Sequence, residues 1–372
     1  MTSAMTAFAR NQWYVAAYGR EVGRELLGRT ILNEPVVLFR TEADGAGRGG
    51  EVVALADRCV HRRFPLSAGR LDGDRVVCGY HGFTYDTAGG CVSVPGQRRV
   101  PRTARVSGYP VVEQDSFVWI WIGDPALADP AAVPRAPHLA AAGNWTTVGG
   151  MEPIDGDYGL LVDNLMDLSH ETYLHGGYIG TPEVADTPMT TEVDEGAAIV
   201  RVARHMDDAA CPPFYARSTG IRGRITRWQD IEYHAPCLYL LHSRVAPQGV
   251  LPNADGTDPD AFHVEITYAI TPSTDRQVYD FWSVSRDFGL GDEEMSRFLH
   301  DFNREVVLQD VDALNLLQKA LDGEPEGYQE LSVNIDTGGL AARRILARLA
   351  AGGERPAAAA PAAVPAAVPA AR

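Results

Sequence analysis

The chain has 372 residues, 45% of them hydrophobic and 22% charged, with a formal net charge of −16. That length predicts two domains with real cores, and the composition is that of an ordinary globular protein. The acidic balance excludes nucleic-acid binding as the main role, because neutralising phosphates needs a basic face. No stretch approaches the roughly 18–20 apolar residues of a membrane span, and Met1–Asn11 lacks the apolar core of a secretory signal. The expectation is a cytoplasmic protein with no membrane partner.

In chain order, the first third holds short β-type runs at Thr30–Leu32, Val36–Phe39, Val52–Leu55, Arg75–Val77 and Phe117–Ile122, set apart by Gly, Asp and Pro clusters. They predict a small antiparallel β domain over residues 8–125. Gly45, Gly47 and Gly50 satisfy G-x-G-x-x-G, but a β-type run follows instead of a helix, so they read as a hairpin loop and not a dinucleotide site.

Within this domain lie Cys59-Val60-His61, sixteen further residues, then Cys78-Gly79-Tyr80-His81. One Cys and one His in each clip is the ligand set of a Rieske [2Fe–2S] centre, with two thiolates on one iron and two imidazoles on the other. Zinc is the alternative for the same four residues. Its usual order is two cysteines and then two histidines around a helix, whereas here both clips place Cys before His and follow β-type runs. Gly79 and Gly82 allow the close backbone approach such loops need. Arg62-Arg63 reads either as a docking point for an acidic electron donor or as a solvated loop. Cys91, Cys211 and Cys237 have no evident shared role and read as buried thiols in a reducing compartment. The pattern C-x-H-x16-C-x2-H resembles the Rieske family.

Pro125, Pro130, Pro134 and Pro137 mark a linker. Strands and helices then mix from 145 to 290. Val264–Ile270 and, less cleanly, Val278–Val284 alternate like half-buried strands, and Gly249–Pro259 is a polar loop. Asp292–Leu321 lacks Pro and Gly and predicts a long helix. Residues 126–350 form the second expected domain, and 351–372 an Ala/Pro-rich disordered tail. The expected class is α+β: an antiparallel β domain followed by a helix-covered antiparallel sheet.

Asp163–His175 packs two histidines and three acidic residues into helix-compatible sequence. Asp167 and His170, three apart, neighbour each other on a helix. His170 and His175, five apart, lie about 140° apart on one. To share a metal they need the helix to distort or end near His175, with Gly176-Gly177 as the stop or a π-bulge as the other route. Two histidines and one carboxylate form the facial triad of non-haem Fe(II) oxygenases. Asp310 fits as the carboxylate because its helical neighbours Val306, Val307, Ala313, Leu314 and Leu317 are all apolar, and a buried carboxylate needs a cation or donors. An arginine partner would also satisfy it. Asp312 has a more mixed setting and Asp301 a solvated one.

The D-x2-H-x4-H segment resembles the iron motif of Rieske non-haem iron oxygenase α-subunits, and the likeness runs over about residues 8–350. Asn11–Ala16 and Leu161–His170 resemble the vanillate O-demethylase branch of that family. The resemblance implies a [2Fe–2S] cluster on Cys59, His61, Cys78 and His81, and a mononuclear Fe(II) on His170, His175 and Asp310. It implies that Asp167 bridges His81 of the next subunit to His170. Such a head-to-tail contact is closed by a homotrimer. Electrons would come from NADH through a separate flavin and ferredoxin-type reductase, since no flavin, nicotinamide or plant-type ferredoxin motif is present. With O2, one oxygen inserted into an aryl O–CH3 group gives a hemiacetal that loses formaldehyde, turning vanillate into protocatechuate. Ring hydroxylation or N-demethylation of another aromatic is one alternative, and a Rieske electron-transfer protein without its own chemistry is another. His242 and Arg244, on a strand, are expected at a substrate carboxylate. Tyr268 is expected at the ring or a phenol. Ordinary surface or core roles are the competing reading for all three.

Overall fold

The structure, a computed structural model, describes residues 7–43, 50–140, 144–325 and 328–352. It divides into two compact units, one of Arg10–Arg135 with Thr271–Arg276 and one holding the rest.

The first unit is built of three small sheets. Gln12–Tyr18, Phe117–Ile122 and Val111–Gln114 form one, with the outer two strands pairing antiparallel to Phe117–Ile122. Every residue of Phe117–Ile122 is buried, which explains its unbroken apolar run. Leu27–Ile31, Glu34–Arg40, Val52–Ala56 and Gly108–Tyr109 form the second sheet; Arg70–Asp72, Arg75–Val77, Thr84–Tyr85 and Cys91–Ser93 the third. Leu32 and Asn33 both take positive φ in the two-residue turn joining the first hairpin, the backbone such tight turns require. Four of the five expected β-runs lie wholly within strands; Thr30–Leu32 overruns its strand by Leu32, which is in the turn. Gly45 and Gly47 lie outside the described residues; Gly50 precedes a strand, not a helix.

The proline-rich stretch is not an open linker. It folds into three 3₁₀ turns, Pro125–Leu127, Pro130–Ala132 and Pro137–Leu139. Asp124 and Asp129 cap the first two by accepting from the backbone N–H groups of Ala126 and Ala131.

The second unit centres on a seven-stranded sheet. Its strand order is Thr146–Ile154, Gln277–Arg286, Phe262–Thr274, Leu238–Pro247, Ile225–His234, Ile199–Ala209 and Thr190–Asp194. The long helix runs Glu293–Leu321 and starts where Asp292 accepts from Met295 N–H. It buries Asn303, Val306, Val307, Asp310 and Leu314, but Leu317, expected on the same buried face, is 42% exposed. A helix absent from the sequence reading, Thr337–Ala350, packs on Tyr158–Met166. Gly339 permits the approach: a Cβ there would lie 3.0 Å from Asp163 Oδ1, and Arg343 closes the contact by pairing with Asp163. Residues 353–372, most of the expected tail, lie outside the described residues. The architecture is α+β, an antiparallel β domain followed by a mixed helix and sheet domain. Among the described residues no helix is long and apolar enough to cross a membrane.

Candidate metal centres

The two Cys/His clips are loops of one construction. Cys59 N–H donates to Phe64 O at 2.9 Å and Cys78 N–H to Phe83 O at 2.8 Å. Inside each loop a residue of positive φ turns the chain back on the cysteine carbonyl: Arg63 (φ 60°) donates to Cys59 O, and Gly82 (φ 72°) to Cys78 O. A Cβ on Gly79 would sit 2.7 Å from Ala68 O, so the second loop needs glycine there. This geometry turns the thiols in and the imidazoles out. Cys59 and Cys78 are buried; His61 and His81 are exposed, their ring centroids 4.5 Å apart, with His61 stacked on Phe83. Tyr85 Oη lies 3.2 Å from Cys59 Sγ and accepts from Val60 N–H. Burial pushes the Cys78 thiol pKa up, and the neighbouring Cys59 adds to it. Two buried sulfurs beside two converging imidazoles form the donor set of a Rieske cluster.

The second centre is assembled from distant parts of the chain. The helix Tyr158–Met166 does not continue to His175, as a single helix would. It breaks at Asp167, whose backbone is extended (φ −129°, ψ 103°); a 3₁₀ turn over Leu168–His170 and a short helix over Glu171–Leu174 follow. The helix end, not a π-bulge, brings the two histidines together: the helical segment after His170 stops at Leu174, His175 leaves helical geometry (φ −105°, ψ 22°), and Gly177 (φ 87°) turns the chain beyond it. His170, His175 and Asp310 place their ligand atoms within 4.8 Å of one another. Both Nε2 atoms face the same carboxylate oxygen, at 3.6 Å from His170 and 3.3 Å from His175.

The other ring nitrogens are already engaged. His170 Nδ1 donates to Asp167 O at 2.6 Å, and His175 Nδ1 donates to Gln309 Oε1 at 2.7 Å. Those bonds fix the tautomer that leaves each Nε2 lone pair free for a metal. Asn164 Nδ2 donates to Asp310 Oδ1 at 3.0 Å. Burial, the largest single influence, pushes the His175 pKa down, but the hydrogen bond and charge of Asp310, with Gln309 and Glu171, together outweigh it, and the pKa stands above the usual histidine value. His175 is 1% and Asp310 5% exposed, so two of the three ligands of this compact N2O set are shielded from water, while His170 keeps 23% of its side chain exposed.

Asp167 corrects the expected contact. Its carbonyl holds His170, while its carboxylate caps the 3₁₀ turn by accepting from Ser169 N–H and Oγ–H. Buried Arg204 stands 3.8 Å from that carboxylate. A groove of about 400 Å³ opens beside it, lined in part by Asp163, Asp167, His170, Leu174, Leu317 and Leu331.

On its inner side the triad faces a narrow pocket, lined mostly by buried residues, with about 30 Å³ of free space, roughly one water's share of volume. Tyr268 lines it; His242 and Arg244 do not. His242 pairs with Glu265 at 2.5 Å. Arg244 is held by Asp258 and by Val250 O, so it pins the Gly249–Pro259 loop instead of presenting a free cation. The sequence reading missed the pocket's polar lining. Arg227 and Glu171 form a buried pair at 2.9 Å, with Gln229 also donating to Glu171. Burial, the largest single influence, lowers the Arg227 pKa, but the charge of Glu171, Tyr215 and the hydrogen bonds to both together outweigh it, leaving it above the usual arginine value. Tyr239 Oη and Asn303 Nδ2 also line the pocket, buried and with no hydrogen-bond partner among the described residues. Tyr239 packs edge-on against Tyr268 across two paired strands, ring centroids 5.7 Å apart. Asn303 stands two helical turns before Asp310 on the same face.

An electron-carrying cluster site and a shielded iron triad in one chain define an iron–sulfur-fed oxygenase. The family described as the Rieske [2Fe–2S] domain matches residues 12–109, and that described as the vanillate O-demethylase oxygenase C-terminal domain matches 154–352. The vanillate O-demethylase oxygenase subunit of Pseudomonas sp. (strain HR199 / DSM 7063) is 36% identical over 95% of this chain and 98% of its own length. The dicamba O-demethylase oxygenase component of Stenotrophomonas maltophilia is 35% identical over 82% of this chain and 86% of its own. The crystal structure of dicamba monooxygenase bound to dicamba superposes with a TM-score of 0.84 at 32% identity, covering 93% of this chain and 98% of the other. The chain belongs to the Rieske-domain aromatic-ring oxygenase α subunits, related to vanillate and dicamba O-demethylase oxygenase components. It is a non-haem iron oxygenase of the O-demethylase and monooxygenase type, acting on an aromatic substrate with O2 and electrons from a reductase.

Proposed function

We propose that the chain removes the methyl group of a methoxybenzoate, with vanillate as the first substrate to test and protocatechuate and formaldehyde as products. The observation that carries this reading is the polar lining of the triad's pocket. Its one arginine is already neutralised by Glu171, and Asp310 contributes one negative charge. A divalent cation on the triad leaves the lining at about +1, a balance suited to an aromatic monoanion. Tyr239 and Asn303 then supply neutral donors for its oxygens, and Tyr239 with Tyr268 an aromatic wall for its ring. Vanillate and dicamba, named in the relatives above, are both methoxybenzoates.

In this mechanism Cys59, His61, Cys78 and His81 hold the cluster, and His170, His175 and Asp310 the iron. Together these centres supply single electrons and O2 activation when bound. Asp167 and Gln309 keep both histidines in the ligating tautomer. The narrow pocket leaves room for little water, and its walls must part to admit a ring. Asp167 also serves the next subunit. Its carboxylate is partly exposed at the groove, and Leu317 and Leu331 leave apolar surface around it. That supports the homotrimer in which His81 of a neighbouring copy donates to Asp167. The electrons come from NADH through a separate flavin and ferredoxin-type reductase, in the cytoplasm, where the thiols of Cys91, Cys211 and Cys237 stay unpaired.

The test is reconstitution with a reductase, NADH and a panel containing vanillate, other methoxybenzoates, neutral methoxyarenes and N-methyl aromatics. Formaldehyde in step with phenol from the benzoates is the expected outcome. A ring diol, or equal turnover of neutral analogues, would overturn the assignment.

A further inference from the structure

Between residues 58 and 105 the chain carries nine arginines, three aspartates and neither lysine nor glutamate, a net +6 within a chain of −16. Two of the aspartates are occupied locally: Asp74 pairs with Arg24 at 2.7 Å, and Asp86 accepts from the backbone N–H groups of Ala88 and Gly90. Arg58, Arg62, Arg63, Arg98, Arg99, Arg102 and Arg105 are all exposed. Among the described residues none of them pairs with a carboxylate; Arg105 donates only to Ala88 O, at 3.2 Å. Surface arginines in an acidic protein usually find acids, so an unbalanced run of cations in one stretch of chain is a feature that calls for a partner.

The fold gathers Arg58, Arg63 and Arg105 around one groove of about 310 Å³, with Val60, Val106 and Tyr109 in its lining. The only acid lining it, Glu34, is engaged by Arg10 and by the Tyr109 hydroxyl at 2.7 Å. Val60, 41% exposed, lies between the ligands Cys59 and His61. A redox centre seated in this groove is therefore one residue from two ligands of the cluster. The charge provides attraction, and exposed Val60 provides a small apolar contact that need not be tight.

We infer that this groove is the docking site of an acidic one-electron carrier protein, the immediate donor to the cluster. One electron leaves the reduced carrier and one is gained by the oxidised cluster, with no bond made or broken. The inference rests on the reading that a separate reductase feeds the chain. It moves the docking point from the adjacent pair Arg62-Arg63 to a surface that only folding creates, since Arg105 is far from Arg58 in sequence.

The experiment uses the holoprotein and a plant-type [2Fe–2S] ferredoxin as the acidic probe. Cluster reduction is followed by stopped flow, and binding by titration calorimetry, at low and high salt. Wild-type reduction should slow by about tenfold or more between low and high salt, as steered association does. The variant R58E/R63E/R105E should lose on the order of tenfold at low salt, together with most of the salt dependence. Dithionite must still reduce its cluster completely, with the wild-type visible spectrum, which shows that the domain is folded and loaded. The variant R98E/R99E/R102E, which changes the same net charge away from the groove, should lose much less. Equal losses in the two variants, a salt-independent wild type, or unchanged ferredoxin kinetics in R58E/R63E/R105E would each overturn the docking site. So would a change in oligomeric state confined to R58E/R63E/R105E, which would assign the groove to another copy of the chain. Formaldehyde from dithionite-reduced protein is scored separately. Its absence would sink the oxygenase reading and leave the docking result standing.

Discussion

The cluster site and the iron triad use imidazoles in opposite ways. At the cluster, both histidines stand exposed at the tips of two matched loops, held by local turns and by Gly79 and Gly82. At the triad, His175 and Asp310 are buried, and the ligands come from a broken helix and a second helix far along the chain. Electrons must enter and leave by contact, so the first site presents its ligands to the surface. O2 chemistry on an organic substrate must be kept from water, so the second buries His175 and Asp310 and leaves His170 partly exposed toward the groove. The comparison holds only if the two sites load and fail independently, and the expected effects below test that from the largest to the smallest.

Asp310→Ala should abolish turnover and remove the mononuclear iron while leaving the visible Rieske spectrum intact; Cys78→Ala should remove that spectrum. Metal analysis should fall from about three irons per chain to about two in the first variant. A parallel loss of the cluster in Asp310→Ala would mean that the sites are one folding unit. Asp167→Asn should leave both irons bound and slow the passage of electrons from cluster to triad by about 10–100-fold, the usual cost of losing a hydrogen-bonded partner of a metal ligand. Rapid-quench product formation in prereduced protein measures this. An unchanged rate would confine Asp167 to capping the Leu168–His170 turn.

Tyr239→Phe and Asn303→Leu should each raise KM for a methoxybenzoate about tenfold, equivalent to about 1.4 kcal/mol, with a smaller effect on kcat. Neutral methoxyarenes should respond less. Arg244→Ala should weaken acids and neutral analogues alike, because Arg244 holds the loop through Asp258.

The smallest effect concerns Asp280, 1% exposed, with Oδ1 unpartnered among the described residues. Burial, with the Asp310 charge adding to it, pushes its pKa well above the usual carboxylate range. A carboxyl whose folded pKa is raised favours the folded state at low pH. Its contribution declines as pH rises from the unfolded value, about 4, through the folded one. Asp280→Asn should therefore be nearly neutral near pH 4 and raise Tm by a few degrees relative to wild type as pH rises. Thermal melts across pH check this, and a Tm difference that shrinks with pH would contradict it.

The cluster was legible because its ligands, spacing and loop glycines are all local, and spacing is what a sequence displays. The triad was half legible. His170 and His175 sit in one segment, and Asp310 emerged from the apolar neighbours on its helical face. The break at Asp167 was missed because periodicity suggests one continuous helix. The overlooked signal was Asp167-Leu168-Ser169, a side chain able to cap the turn that follows it. Arg244 stayed open between a substrate contact and an ordinary role because its charge is visible in sequence and its partner Asp258, in a neighbouring loop, is not. Tyr239 and Asn303 were invisible for the converse reason. What marks them is the lack of a partner, and that exists only once the chain has folded around the pocket.

The most direct test of electron flow from the exposed site to the buried one is a single turnover without any reductase. The holoprotein is reduced chemically, freed of reductant, mixed with vanillate and exposed once to O2. The expected result is oxidation of the cluster together with a stoichiometric yield of protocatechuate and formaldehyde, lost in Asp310→Ala although its cluster still reduces. Cluster oxidation without either product in the wild type would contradict the coupling of the two sites.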